Sequence, residues 1–164
     1  MTTWFIADTH FGKQPPGRVK WSGLSAGELD ALIEANWRER VAPEDVVWHL
    51  GDIGPDWRRL EALPGVKHLI LGNDDKKDRQ VRTEIEQSPI FETVRNRHRL
   101  PVNGGSLFLI HVPREARMEP AHEVVHGHLH HLPSDPGHRS VSVDQTGWAP
   151  QSLEELLGRR MRDA

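Results

Sequence analysis

The sequence predicts an α/β fold, and three observations carry this prediction. Short apolar segments typical of buried strands alternate with segments whose apolar residues recur at helical spacing. The 14 Gly and 12 Pro divide these segments along the whole chain, as expected where strands and helices alternate. Polar side chains that can bind metals follow several predicted strands. A length of 164 residues suits one domain, and we expect 1–164 to form it around a single core.

The first strand is predicted at Thr3–Ala7, an apolar segment that ends at Asp8. After a loop, a helix begins at Ser25, because Ser25 and Glu28 have the spacing of a capping box, in which each side chain binds the other residue's backbone N–H. The apolar residues that follow form one helical face: Leu29, Leu32, Ile33, Trp37 and Val41.

Two more buried strands are predicted at Val46–Leu50 and Val66–Leu71. A short helix at Trp57–Leu63 separates them, and a polar helix at Lys77–Gln87 follows. The next elements are a β-hairpin, whose turn Asn103-Gly104 tolerates positive φ, then two strands and a closing helix with a second capping box. We place these at Glu92–Val102 with Ser106–His111, Glu123–Val125, Ser140–Val143 and Ser152–Met161.

The composition excludes several classes of protein. With 36% hydrophobic and 27% charged residues, the chain is neither disordered nor a membrane protein. The amino terminus lacks the features of a signal peptide, so we expect a cytoplasmic location. Since there is no Cys, a metal site must use other ligands, and 11 His are available. A net charge of −3 with scattered Lys and Arg does not favour duplex nucleic acid as a partner.

Potential metal ligands occur in five short pieces, each at the end of a predicted strand. Each piece alone is a weak signal, since Gly-Asp usually marks a turn and a lone His is usually structural. The carboxyl ends of strands in α/β folds form one rim where sites assemble, so we expect the five to converge. They are Asp8-Thr9-His10, Gly51-Asp52, Gly72-Asn73-Asp74-Asp75, His111 and His126-Gly127-His128.

With these pieces and its closing segment Val143 to Pro150, the sequence resembles the calcineurin-like metallophosphoesterase superfamily over most of its length. It is most similar to small stand-alone bacterial or phage-type members. The resemblance implies a four-layer α/β/β/α fold, in which helices flank a β-sandwich. It also implies a hydrolase of phosphate esters, in which hydroxide bridging two metal ions attacks phosphorus.

The resemblance further implies which residues hold the ions. Imidazole, carboxylate and carboxamide ligands suit Mn²⁺, which we expect first, and also Fe²⁺, Co²⁺, Ni²⁺ or Zn²⁺. Two such ions about 3.5–4 Å apart would clamp the phosphate and stabilise its charge. The ligand sets share Asp52: Asp8, His10, Asp52 and His128 for one ion, and Asp52, Asn73, His111 and His126 for the other.

The sequence departs from the family pattern at Asp74. Phosphomonoesterases of the superfamily usually have Gly-Asn-His, and that His protonates the departing group. Here Asn73 is kept, but a carboxyl group beside two dications stays ionised and is a poor acid. We therefore predict a phosphodiester or nucleotide pyrophosphate as substrate rather than a simple monoester, with Asp52, Asn73 and Asp74 as the catalytic residues.

Three cations near the motifs are candidate contacts for the substrate phosphate: Lys13, Arg18 and Arg114. The expected substrate is a small phosphate ester or nucleotide, and no membrane partner is expected. Two other functions stay open from the sequence. One is a catalytically weak binding scaffold, similar to the retromer subunit that resembles this family, and the other is a metal-dependent nuclease. A single-zinc hydrolase of another fold would not explain Asn73 and the separate His pieces.

Overall fold

The computed structural model describes residues 1–116 and 123–158 and contains nine strands in this part of the chain. The strands are β1 (Thr3–Ile6), β2 (Val46–His49), β3 (Val66–Ile70), β4 (Phe91–Arg95), β5 (Arg97–Val102), β6 (Gly105–Ile110), β7 (Glu123–His126), β8 (His138–Ser140) and β9 (Gln151–Ser152). The α-helices are α1 (Pro16–Ser22), α2 (Ala26–Arg40), α3 (Arg79–Gln87) and α4 (Leu153–Gly158), and two 3-10 helices cover Trp57–Ala62 and Pro113–Ala116.

The strands form two sheets. The first has the order β4-β3-β2-β1-β9, with β1 to β4 parallel and β9 antiparallel to β1. The second has the order β5-β6-β7-β8, in which β5 and β6 form a hairpin and β6, β7 and β8 are parallel. Within each sheet, the carboxyl ends of the parallel strands therefore meet at one edge.

A short extended segment joins these two edges. The backbone N–H of Ala7 donates to the carbonyl of Val141 at 2.9 Å, and that of Val143 donates to Ala7 at 3.1 Å. On its other side, the N–H of Val141 donates to the carbonyl of His126 at 2.9 Å. The end of β1 is thus tied to the end of β7, and side chains from the two sheets meet at one rim.

Apolar side chains pack in three layers around the sheets. The layer between the sheets holds residues of both, such as Phe5 and Leu109, together with Leu156 of α4. Helix α2 covers the outer face of the first sheet with Ile33 and Trp37. On the second sheet, a smaller cluster packs against the 3-10 helix Pro113–Ala116. The expected two-sheet α/β fold with helices outside it is confirmed.

Besides strand β9, which the sequence did not predict, three elements differ from the sequence prediction. Helix α1 lies in what we expected to be a loop, because its opening Pro16-Gly17 resembles a turn, although Pro is well tolerated at a helix start. The segment 92–102 is divided between β4 in the first sheet and β5 in the second. Strand β8 ends at Ser140, before most of the predicted strand.

Both capping boxes are present. Ser25 and Glu28 cap α2, and Ser152 and Glu155 exchange the same pair of hydrogen bonds at the start of α4. The predicted end of that helix, at 159–161, lies outside the described residues. Within the described ranges, no helix combines the length and the apolar character needed to span a bilayer.

Candidate metal centre and active site

The strand ends bring the predicted acidic and amide residues together. Asp8 follows β1, Asp52 follows β2 and Asn73 follows β3, so all three stand at the carboxyl edge of one sheet. The loops that carry Asp52 and Asn73 lie close together because Gly72 has no side chain. A Cβ built there would lie 2.2 Å from Oδ1 of Asp52. The glycines before the ligands therefore permit the loops after β2 and β3 to touch.

Three overlapping groups of side chains in the described residues could hold a metal ion. In each group the candidate ligand atoms lie within 4.8 Å of one another. Asp8, His10 and Asp52 each occur in two of the groups, so the groups form one continuous cluster. They are Asp8 with His10 and His130, Asp8 with Asp52 and His111, and His10 with Asp52 and Asp74.

Hydrogen bonds orient the imidazoles of this cluster. Nδ1 of His111 lies 2.6 Å from the carbonyl oxygen of Leu50, to which it donates, so Nε2 faces the cluster. That Nε2 lies 3.0 Å from Oδ1 of Asn73 and 3.3 Å from Oδ2 of Asp52. Nδ1 of His128 approaches the same Asn73 oxygen at 2.9 Å. Asn73, His111 and His128 are thus neighbours. The predicted ligand sets placed Asn73 and His111 around the same ion and His128 at the other.

The structure places His130, and not His126, in the cluster. Nε2 of His130 lies 3.7 Å from Oδ1 of Asp8. His126 is the last residue of β7 and belongs to none of the three groups. Its Nδ1 lies 2.7 Å from the Gly127 carbonyl oxygen, and its Nε2 lies 2.9 Å from Oγ of Ser134. The pair of histidines at the rim is therefore shifted by two residues from the predicted His126 and His128.

Asp75 holds the loops together from beneath. Its buried carboxylate accepts three backbone N–H groups: those of Asp52 at 2.8 Å, Ile53 at 3.1 Å and Gly72 at 2.8 Å. One side chain therefore fixes the backbone after both β2 and β3. Asp74 points the other way and is about one-third exposed, with Oδ2 3.8 Å from Nδ1 of His10.

Arg18 does not contact the cavity, contrary to the predicted role in substrate binding. Its side chain is 1% exposed and forms an ion pair with the equally buried Asp144. Nη1 also donates to the backbone carbonyl of Asp8 and to Oε1 of Gln14, at 2.8 Å in both cases. Each nitrogen of the guanidinium therefore donates to a group of the protein, and Arg18 holds the loop that carries Asp8 and His10.

The other two predicted cations are exposed. Lys13 lines the same cavity as the metal cluster, so its predicted contact with a phosphate is sterically open. Arg114 lies in the 3-10 helix after β6 and is not part of that cavity wall. Burial, the charge of His111 and, more weakly, the charge of Arg114 lower the pKa of His128.

Burial and charge together set the protonation of the cluster. Burial raises the pKa of Asp8 to about 7 and lowers that of His10 to about 4. His111 and Asp52 share a hydrogen bond. Although burial acts in the opposite direction on each group, this bond raises the pKa of His111 to about 9 and lowers the pKa of Asp52 to about 2. Burial also lowers the pKa of His130. His10 is thus neutral at pH 7, the form of imidazole that binds metals.

Two buried atoms of the cluster have no hydrogen-bond partner within residues 1–116 and 123–158: Oδ1 of Asp8 and Nε2 of His10. Buried polar atoms in native proteins are nearly always paired, so this arrangement fits a cation that both atoms would bind. The backbone supports the same conclusion. Non-Gly residues rarely adopt positive φ, and such residues concentrate at functional sites. Five occur here: Asp8 (58°), His10 (46°), Asp52 (55°), His128 (70°) and His130 (51°).

The cluster opens into a cavity of about 620 Å³. This volume is typical of pockets that hold organic ligands. The residues of the cluster that line it are His10, Asp52, Asn73, Asp74, His128 and His130.

The two-sheet fold and its rim of buried Asp and His side chains define an α/β protein with a candidate metal centre. The particular family follows from the sequence: residues 1–147 match the calcineurin-like phosphoesterase superfamily domain, and the chain belongs to this superfamily, which generally uses divalent metals.

Two phage proteins are similar in sequence. The Gene 66 protein of Mycobacterium phage D29 is 29% identical over 198 aligned positions, which span 94% of this chain and 98% of the relative. The Gene 66 protein of Mycobacterium phage L5 is 37% identical over 81 positions, 44% of this chain and 39% of the relative.

Solved structures share the fold. A protein of unknown function from Aquifex aeolicus has a TM-score of 0.70 at 21% identity, covering 99% of this chain and 98% of its own. An archaeal phosphodiesterase has a TM-score of 0.50 at 14% identity, covering 93% and 99%. At these identities the likeness concerns the fold.

Proposed function

We propose that the protein is a phosphodiesterase or nucleotide pyrophosphohydrolase that works with two divalent ions, Mn²⁺ first among them. The observation that carries the proposal is the convergence of buried carboxylates and imidazoles at one rim, with unpartnered atoms on Asp8 and His10. The presence of Asp52 in two of the candidate groups supports its role as the shared ligand.

The geometry supports a revised pair of ligand sets. When bound, the ions would neutralise the phosphate oxygens and lower the pKa of water towards neutrality. The sets are Asp8, His10, Asp52 and His130 for one ion, and Asp52, Asn73, His111 and His128 for the other.

The protein's own groups would prepare this site before a substrate arrives. The Leu50 carbonyl fixes the ring of His111, and Asp75 fixes the backbone on which Asp52 stands. Against the effect of burial, the hydrogen bond with His111 lowers the pKa of Asp52 to about 2, so its carboxylate is ionised at neutral pH and offers two oxygens to cations. Lys13 at the cavity wall would attract the phosphate.

Asp74 supports the preference for diesters or pyrophosphates. It lies beside His10 and Asp52, where the resemblance leads us to expect a proton-donating His. Loss of a positioned acid slows a reaction by about 10²–10⁴ when the departing group is strongly basic. Esters with weakly basic departing groups avoid this loss.

The test compares His130, a proposed metal ligand, with His126, which lies four residues earlier in the chain and is not in the revised ligand sets. We expect His130→Asn to weaken Mn²⁺ binding, measured by titration calorimetry, and to lower turnover of bis-p-nitrophenyl phosphate by about 100-fold. His126→Asn is the matched control and should retain both, because its ring hydrogen-bonds Gly127 and Ser134 instead.

Three outcomes contradict parts of the proposal. Equal losses of Mn²⁺ affinity in the two variants would contradict the revised ligand sets. Stoichiometric Mn²⁺ with no turnover of any phosphate ester by the wild-type protein would favour a binding scaffold. Faster turnover of simple alkyl monoesters than of diesters would contradict the role given to Asp74.

A further inference from the structure

The cavity extends beyond the metal cluster, over the start of α3. Its wall at this end contains Lys77, Val81 and Ile85, and three prolines complete the wall elsewhere: Pro15, Pro16 and Pro55. A phosphoryl group needs only a small part of about 620 Å³. The remaining space, bounded by these apolar side chains, by the ammonium groups of Lys13 and Lys77 and by Asp78, is suited to the rest of an ester.

Lys77 is held beside the cluster by a short chain of contacts. Its ammonium group forms an ion pair with Oδ1 of Asp74, and its backbone N–H donates to the Asp74 carbonyl at 3.2 Å. The backbone N–H of Asp74 in turn donates to Oδ1 of Asp52 at 2.9 Å. The carboxylate that replaces the expected His therefore holds an ammonium group, 72% exposed, at the wall of the same cavity.

We propose that this end of the cavity receives the departing group and that Lys77 stabilises the negative charge that develops on its oxygen. The inference rests on the proposed phosphoesterase function. The oxygen of water forms the new bond to phosphorus and releases one proton to the solvent, and the bond from phosphorus to the ester oxygen breaks. The electron pair of that bond leaves with the ester oxygen, which Lys77 binds by charge and N–H donation.

This arrangement defines a substrate class. A lysine ammonium is protonated at neutral pH and stabilises an oxyanion without needing to release its proton. The departing group is therefore a weakly basic oxygen anion, such as a phenolate or a phosphate. Its body is apolar where it meets Val81 and Ile85.

The test uses methyl aryl phosphate diesters with phenols of increasing basicity, from p-nitrophenol to phenol, in Mn²⁺. We expect Lys77→Met to lower kcat by about 10-fold for the p-nitrophenyl ester and by about 100-fold for the phenyl ester. The matched control is Lys76→Met, since Lys76 is an exposed neighbour outside the cavity wall. It should stay within about twofold of the wild type for every ester.

A merely structural role for Lys77 would not steepen the dependence of kcat on the basicity of the phenol. Identical factors for all esters, or equality of Lys77→Met and Lys76→Met, would overturn the inference while leaving the proposed function intact. No turnover of any diester by the wild-type protein would overturn both. For the apolar wall, we expect phenylphosphonate to inhibit about tenfold more tightly than methylphosphonate, and equal inhibition would contradict that contact.

Discussion

Arg18 ties together two distant parts of the chain at the back of the site. Its guanidinium pairs with Asp144, and Oδ2 of Asp144 also accepts from Oγ of Ser142 at 3.0 Å. The same guanidinium donates to the carbonyl of Asp8, the first candidate ligand. A buried ion pair of this kind contributes through what its removal would leave behind, namely one uncompensated buried charge.

We expect Arg18→Met to lower the free energy of unfolding by about 3–5 kcal/mol, because Asp144 would stay buried without a counter-charge. The measurement is urea unfolding of the purified variant. Arg79→Met, at the exposed start of α3, is the control and should change stability by less than about 0.5 kcal/mol. Adding Asp144→Asn to Arg18→Met should recover part of the loss. Failure to recover any of it would contradict the charge-based explanation.

Residue types alone predicted most of the cluster but not which histidines complete it. Asp8, His10, Asp52, Asn73, His111 and His128 all lie at the rim as the sequence led us to expect. His126, His128 and His130 are spaced two residues apart from the end of the buried strand β7, so periodicity could not tell which ring turns towards Asp8. Positive φ at His128 and His130 decides this, and such backbone geometry is invisible in the sequence.

The loops after β2 and β3 approach each other so closely that a Cβ added to Gly72 would lie 2.4 Å from the backbone N of Asp52. Gly72 is the residue that makes this possible, since its α-hydrogen faces the carboxylate and backbone of Asp52. The contact couples the position of a candidate ligand to the spacing of two strands.

We therefore expect Gly72→Ala to destabilise the fold by about 1–3 kcal/mol and to weaken Mn²⁺ binding at least about tenfold. Gly27→Ala is the matched control, because Gly27 lies in α2 with nothing within 4 Å of an added Cβ. It should stabilise the protein by about 0.5 kcal/mol. Thermal unfolding and calorimetry check both variants, and unchanged Mn²⁺ affinity in Gly72→Ala would contradict this coupling.

Elements with local signals were predictable, whereas those fixed by distant partners were not. The capping boxes of α2 and α4 depend on residues three apart, and both are present. The division of segment 92–102 depends on β4 pairing with β3 and β5 pairing with β6. No property of the segment itself reports which sheet will receive each half.

The stability of the whole molecule should depend on pH through a buried histidine. His49 is 1% exposed, and its ring lies between Oγ1 of Thr9 at 3.0 Å and the N–H of Gly51 at 3.1 Å. Burial lowers its pKa from 6.5 to about 3. Between these values the unfolded chain binds a proton at His49 that the folded protein does not, so the contribution of His49 to stability is complete above pH 6.5 and falls as the pH drops towards about 3.

For one proton the slope is about 1.4 kcal/mol per pH unit. We expect His49→Gln to remove this part of the slope between pH 6 and pH 4, measured by urea unfolding with a chelator present. His131→Gln changes an exposed histidine and should leave the slope unaltered. Parallel curves for His49→Gln and the wild type would contradict the assignment.

The positive φ values at the rim have a consequence for the history and engineering of this chain. Glycine adopts that backbone shape at no steric cost, whereas Asp and His hold it here only because their surroundings compel them. Selection for heat resistance alone would thus replace the rim residues before it altered the apolar interior. A variant selected only for thermal stability would therefore lose metal ligands and, with them, activity. Unusual thermal stability in a relative would be a reason to check whether its ligands are present.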